Sequence, residues 1–127
     1  MSTYRTRETE EKYSKRKEDI KNNNLICPIC RLEPIQSFKY WKVIINEFPY
    51  DLIAKRHDML ATIRHVDEEG LTSEEVSELK DLKKTYLTNQ DYGFILETTH
   101  NTKTIPEHLH LHLITPKDQE ELWEYGN

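Results

Sequence analysis

The sequence predicts an α+β domain in which one main helix packs on a mostly antiparallel sheet. Histidine and leucine alternate over residues 108–114, which is the period of a half-buried strand. Apolar residues recur at helical spacing between residues 76 and 86, which is typical of an amphipathic helix. Two further apolar segments, at residues 38–48 and 93–98, have the character of strands.

Composition limits the classes of protein that this chain can represent. Its 127 residues suit one domain, and its 35% hydrophobic and 32% charged residues predict a modest core. The net charge of −5 argues against general binding to nucleic acids or anionic membranes. No apolar run approaches the roughly 20 residues that cross a bilayer, and residues 1–11 are too polar for a secretory signal. Because the two cysteines share one Cys-x-x-Cys motif, we expect a reducing, cytoplasmic setting.

Residues 4–21 are densely charged and carry both signs. Opposite charges four residues apart, such as Glu8 and Lys12, favour a helix. Without an apolar stripe this helix could bury little surface, so residues 1–24 are predicted to form a peripheral helix or arm. Docking to a partner is the alternative role. The domain proper is predicted over residues 25–127.

Cys27 and Cys30 can direct both thiolates at one tetrahedral zinc ion. A redox-active Cys-x-x-Cys needs a strand that leads into a helix, and Pro34 argues against a helix there. Since the chain has only two cysteines, histidines would have to complete a zinc site, and the candidates are His57, His65, His100 and the three histidines of residues 108–112. The alternative is a pair of free buried thiols.

The middle of the chain predicts two strands and then the main helix. Residues 38–48 form the first strand, and residues 52–54 form a short buried strand that ends at His57. A small apolar set is expected to pack beneath the sheet: Met59, Leu60 and Ile63. Thr72 and Glu75 form a capping box that begins the helix, which is expected to end near residue 88.

The strand at residues 108–114 carries the candidate chemistry. Its three leucines would face a core, and His108, His110 and His112 would line the opposite face. Pro106 and Pro116 lie at its ends, where a strand tolerates proline. Packing alone does not require three aligned imidazoles. The alternative is a histidine-rich surface strand or an incidental metal-binding ladder.

This run resembles the signature of the histidine triad (HIT) family, His-φ-His-φ-His-φ-φ with φ apolar, at every position. Residues 104–107 resemble the lead-in of the branch that includes diadenosine polyphosphate phosphorylases and related hydrolases, and Lys55-Arg56-His57 resembles a second segment of the family. The resemblance covers about residues 25–116. It implies an HIT-like α+β fold with a sheet of about five strands, and a homodimer.

The resemblance also implies roles for individual residues. Cys27, Cys30, His57 and His108 would hold a structural zinc ion. His110 would attack an α-phosphorus to form a nucleotidyl-histidine, and His112 would contact the phosphate or the leaving group. As an imidazolium, His112 could offset charge or donate a proton. The expected nucleotide-binding residues lie in the first strand and before the triad: Ile44, Asn46, Asn101, Lys103 and Thr104.

The leading hypothesis is a nucleotide hydrolase or nucleotidyl transferase. It would release a nucleoside monophosphate from a phosphoramidate or a dinucleoside polyphosphate. The family usually has small residues such as glycine before the triad, whereas residues 96–104 contain none. This departure favours the alternative of a zinc-stabilised nucleotide-binding module with little or no turnover. A metal-binding or scaffold protein is a third hypothesis.

Overall fold

The computed structural model describes residues 4–23, 27–99, 108–118 and 120. In these residues five strands form one antiparallel sheet with the order β1-β2-β3-β5-β4. The elements are helices α1 (Arg7–Asn23), α2 (Pro28–Arg31) and α3 (Ser73–Lys84) and strands β1 (Gln36–Ser37), β2 (Trp41–Ile45), β3 (Ala54–Thr62), β4 (Phe94–Leu96) and β5 (His110–Pro116). The predicted α+β class and the five-stranded antiparallel sheet are confirmed.

The register of β2, β3 and β5 separates the sheet into two faces. Met59 lies between Ile44 of β2 and His112 of β5, and Ala61 lies opposite His110. We call this surface the histidine face. The opposite surface carries the main core, which α3 and the turn after it close: Trp41, Val43, Leu60, Leu82, Leu87, Leu109, Leu111 and Leu113. The three leucines of the triad strand therefore pack as predicted.

The start of α3 shows the predicted capping box. The Thr72 hydroxyl accepts a hydrogen bond from the Glu75 amide at 3.1 Å, and the Glu75 carboxylate accepts one from the Thr72 amide at 2.9 Å. The helix ends at Lys84, before the predicted residue 88, and the chain continues in turns that bring Leu87 into the core.

Strand β3 is longer than the sequence predicts. It starts at Ala54 and continues to Thr62, so His57 lies inside the strand and does not end it. Met59 and Leu60 are residues of this strand on opposite faces, and they do not form a set beneath the sheet. Ile63 is 46% exposed.

Strand β3 contains a buried carboxylate, and for this reason the sequence pattern predicts a strand that is too short. Asp58 interrupts the apolar pattern, yet it is almost completely buried. Its carboxylate accepts hydrogen bonds from Arg56 at 2.8 Å and from the Tyr92 hydroxyl. Because these donors offset its desolvation, an acidic residue occupies the middle of a central strand.

The charged N-terminal segment forms helix α1, as predicted. Its first residues dock on the loop between β2 and β3, where the Thr6 amide donates to Asp51 at 2.7 Å. No helix in the described part of the chain is long and apolar enough to cross a membrane.

Candidate active site and metal centre

His110 is held in one tautomer on the histidine face. Its Nδ1 donates a hydrogen bond to the backbone carbonyl of His108 at 2.9 Å. A neutral imidazole with its proton on Nδ1 has its lone pair on Nε2. The hydrogen bond to the backbone carbonyl thus leaves the lone pair of His110 on Nε2. The residue is 7% exposed.

His57 and His112 form a second ordered pair of imidazoles. The Tyr50 amide donates to His57 Nδ1 at 3.0 Å, so a neutral His57 carries its proton on Nε2. That nitrogen lies 2.8 Å from His112 Nδ1 and 3.2 Å from the Asn46 amide nitrogen. His112 Nδ1 therefore accepts the His57 proton, and His112 Nε2 carries an N–H that can donate to a ligand.

Both imidazoles of this pair are neutral at neutral pH. Burial, and next the charge of Arg5, lower the pKa of His57 to about 3. Burial, and next His57, lower the pKa of His112 to about 3 as well. In the ligand-free protein His112 is therefore a neutral imidazole at neutral pH, and not the imidazolium that could donate a proton. Its N–H is a neutral hydrogen-bond donor.

The aromatic ring of Tyr50 packs on both members of the pair. Its centroid lies 5.0 Å from that of His112, at an interplanar angle of 28°, and 4.6 Å from that of His57. Tyr50 is almost fully buried, and burial raises its pKa, so it is a neutral phenol at physiological pH. The loop before β3 thus supports the pair through both a ring and a backbone amide.

Two cysteines and two histidines lie close together at one end of the sheet: Cys27, Cys30, His65 and His108. Their ligand atoms all lie within 4.8 Å of one another. His108 Nδ1 lies 3.6 Å from the Cys27 sulfur and 3.4 Å from the Cys30 sulfur, and His65 Nδ1 lies 3.3 Å from the Cys30 sulfur. Tetrahedral zinc, with its usual bond lengths, separates sulfur and nitrogen ligands by about 3.6 Å. The donor set and its spacing therefore fit a four-coordinate zinc ion.

The protonation of His108 also suits a metal. Its Nε2 donates to the Thr62 carbonyl at 2.7 Å, which directs the Nδ1 lone pair toward the two sulfurs. Burial lowers the pKa of His108, which keeps the imidazole neutral. Burial, and next the neighbouring Cys27, raise the pKa of the Cys30 thiol, so a thiolate there needs a nearby cation.

The comparison with solved structures identifies the fold. A HIT family hydrolase from Clostridium thermocellum aligns with a TM-score of 0.51 and 14% identity, over 80% of this chain and 89% of that chain. The chain has the histidine triad fold. A Hit-like protein aligns with a TM-score of 0.49 and 16% identity, over 79% of this chain and 96% of that one. No family model matches the sequence, and a search of curated proteins found no match.

Within this histidine triad fold, His65, and not the expected His57, lies in the cluster with the two cysteines and His108. His57 lies beside His112, and both of its ring nitrogens face other partners. His65 follows the end of β3 and reaches Cys30. Both histidines were candidates from the sequence, and the family resemblance favoured His57. The continuation of β3 to Thr62 places His57 inside the sheet and His65 beyond its end, near Cys30.

The turn that carries the two cysteines is fixed by an unpredicted buried cation. The Lys42 ammonium donates to the Ile29 carbonyl at 2.8 Å, near the end of α2. Ile29 packs on Ile44, Met59 and Ala61 of the histidine face. Lys42 and Ile29 therefore hold the cysteine turn against the sheet, where it faces His108.

The structure describes two of the five predicted nucleotide-binding residues, Ile44 and Asn46. Ile44 is fully buried under Ile29, so it presents no surface to a base. The Asn46 side-chain oxygen accepts a hydrogen bond from the Phe48 amide at 2.8 Å, and its amide nitrogen faces His57. Asn101, Lys103 and Thr104 lie outside the described residues.

A cavity of about 400 Å³ opens beside the histidine pair. Asn46 and His57 line it, together with a charged set: Asp51, Lys55, Arg56 and Asp58. His110 and His112 do not line it. The cavity therefore reaches the pair on the side of His57 and not on the side of His110.

Proposed function

We propose that this chain is a nucleotide hydrolase or nucleotidyl transferase that acts at an α-phosphorus. The observation that supports the proposal is the fixed tautomer of His110, because its Nε2 lone pair is the nucleophile that such a reaction needs. The structural neighbour from Clostridium thermocellum is described as a HIT family hydrolase, which agrees with this class of reaction.

The reaction would have two steps. His110 Nε2 attacks the α-phosphorus, so a P–N bond forms and the bond to the leaving group breaks. A water molecule, or another acceptor, then attacks phosphorus, breaks the P–N bond and releases the nucleoside monophosphate or transfers it. The water loses its proton to solvent, and His110 returns to its neutral state.

The neutral state of His112 narrows the choice of leaving group. Its Nε2–H can donate a hydrogen bond to a phosphoryl oxygen and stabilise charge there. A neutral imidazole is a poor proton donor, so we propose that substrates whose leaving group departs as a stable anion react faster. A dinucleoside polyphosphate meets this condition, whereas the amine of a phosphoramidate needs a proton.

We also propose that Cys27, Cys30, His65 and His108 hold one structural zinc ion. With four protein ligands such a site is closed, which is typical of structural zinc. It would join the cysteine turn to the end of β3 and to the start of the triad strand. The homodimer and the nucleotide partner stay predictions.

The test of the enzymatic proposal compares wild type with His110→Ala. We expect wild type to release nucleoside monophosphate from a dinucleoside polyphosphate, and the variant to lose at least about 10³-fold in rate because the nucleophile is absent. Mass spectrometry of acid-quenched wild type should find a nucleotidyl adduct on His110. Full activity of the variant, or an adduct on another residue, would contradict the mechanism.

A binding module is the second candidate function. The observation that favours it is the lack of glycine in residues 96–104, where the family usually has small residues that let the backbone approach the phosphates. It predicts that wild type binds a nucleoside monophosphate in calorimetric titration and yet releases no product from any substrate. Turnover by wild type would exclude it.

A further inference from the structure

The N-terminal segment, residues 4–13, docks directly on the loop that supports the histidine pair. The Thr6 amide and the Thr6 and Thr9 hydroxyls donate to the Asp51 carboxylate at 2.7, 3.0 and 2.6 Å. The Leu52 amide donates to the Tyr4 carbonyl at 2.8 Å. Burial alone would raise the pKa of Asp51, but these hydrogen bonds lower it, so Asp51 is a carboxylate at neutral pH. The segment is therefore anchored at the loop by a charged acceptor.

Arg5 occupies the centre of this contact. Its guanidinium carbon lies 3.9 Å from the ring centroid of Tyr13 and 4.8 Å from that of Tyr50. Its Nε donates to the Phe48 carbonyl at 2.7 Å, and it pairs with Glu10 at 3.3 Å. The Arg5 side chain is only 6% exposed. A planar guanidinium can stack on two rings and donate in its own plane at the same time, which a lysine cannot do.

Tyr50 connects Arg5 to the histidines. Its ring lies against Arg5 and also against His112, and its backbone amide sets the tautomer of His57. A shift of Tyr50 would therefore disturb both the orientation of His112 and the hydrogen bond that gives His112 its Nε2 proton.

We propose that Arg5 is a positioning residue of the histidine site, which holds Tyr50 and thereby fixes the orientation and tautomer of His57 and His112. The N-terminal segment is then a functional part of the domain. This inference rests on the proposed function for its kinetic consequence, but the arrangement of the imidazoles can be measured without any turnover.

The experiment compares Arg5→Met with Arg7→Met in the full chain. Arg7 is an exposed arginine two residues away, so it controls for loss of a positive charge from the same segment. We expect Arg5→Met to lower kcat about tenfold or more, because small misplacements of catalytic groups are costly, with a smaller change in KM. Long-range ¹⁵N–¹H spectra should show mixed tautomers at His57 and His112 in this variant. Arg7→Met should match wild type in both measurements.

A second variant tests the same contact from the side of the loop, in case Arg5→Met does not fold. Asp51→Asn removes the charged acceptor for Thr6 and Thr9 and should produce the same changes in the His57 and His112 spectra. Arg5→Lys should not restore the wild-type spectra. If folded Arg5→Met keeps kcat within twofold of wild type and the same ¹⁵N signals, the proposal is overturned. If wild type shows no turnover, the proposed enzymatic function fails, and the ¹⁵N signals alone then decide the role of Arg5.

Discussion

At the scale of single residues, one hydrogen bond to a backbone carbonyl sets the tautomer of His108 and of His110. His108 donates from Nε2 to Thr62 and so presents Nδ1 to the cysteines. His110 donates from Nδ1 to His108 and so keeps its lone pair on Nε2. Two histidines two residues apart thus hold opposite tautomers, which suits His108 for a metal and His110 for nucleophilic attack.

Substitutions of His57 and His65 test which histidine belongs to the proposed zinc site. We expect His65→Ala to lose bound zinc, because it removes one of four ligands, whereas His57→Ala should keep one zinc ion per chain. Zinc content of the purified proteins, measured by atomic emission, distinguishes the two variants. If His57→Ala loses zinc and His65→Ala retains it, the assignment of ligands would be reversed.

At the scale of elements, the start of α3 is joined to the metal site. Glu75 serves the capping box and also accepts two hydrogen bonds from Arg64, at 2.8 and 3.1 Å. Arg64 precedes His65, the candidate zinc ligand, and donates to the Gly70 carbonyl at 2.9 Å. The helix start therefore fixes the bend that carries His65, in addition to closing the core.

The contribution of this capping box can be measured. Thr72→Ala removes the hydroxyl that accepts from the Glu75 amide, and we expect it to lower the free energy of unfolding by about 1 kcal/mol. Ser73→Ala is the matched control, since the exposed Ser73 hydroxyl contacts only Glu74 and its loss should stay within about 0.5 kcal/mol. Urea unfolding measures both, and equal stabilities of the two variants would show that the cap contributes nothing.

At the scale of the whole molecule, strand β5 joins the two sites. The residues just before it place His108 in the Cys/His cluster, and the strand itself places His112 beside His57. The sheet buries these imidazoles in neutral form, because Tyr50 and α2 cover the histidine face. Folding is therefore coupled to the protonation of histidine.

The stability of the molecule should fall in acid. The pKa of His57 and of His112 is about 3 in the folded chain, whereas an unfolded histidine titrates near 6.5, so the unfolded state binds more protons between these values. The free energy of unfolding should thus fall as pH falls below about 6.5, by at most about 1.4 kcal/mol per pH unit for each histidine.

His112→Asn provides the control for this pH dependence. It removes one of the two titrating imidazoles, so its stability should depend less steeply on pH than that of wild type. Urea unfolding between pH 7 and 5, at the same zinc concentration for both proteins, gives the two slopes. Identical slopes would show that His112 is not the source of the dependence.

The sequence by itself determined the features that rest on local periodicity. Alternation placed the triad leucines in the core and the histidines on the opposite face. The spacing of Thr72 and Glu75 determined the start of α3, and the Cys-x-x-Cys motif with His108 identified three members of the metal cluster. The alternation and the capping box depend on neighbours a few residues apart, so pattern alone was sufficient for them. His108 lies 81 and 78 residues from Cys27 and Cys30, and only the family resemblance placed it with the cysteines.

Only the tertiary structure decided which histidine completes the cluster and where the N-terminal segment lies. The length of β3 depends on pairing with β2 and β5 and on the burial of Asp58 by Arg56 and Tyr92, which no local pattern reports. Arg5 meets Phe48 and Tyr50 across more than forty residues of chain. Such contacts leave no periodic trace in the sequence, because they arise only when distant segments fold against the same sheet.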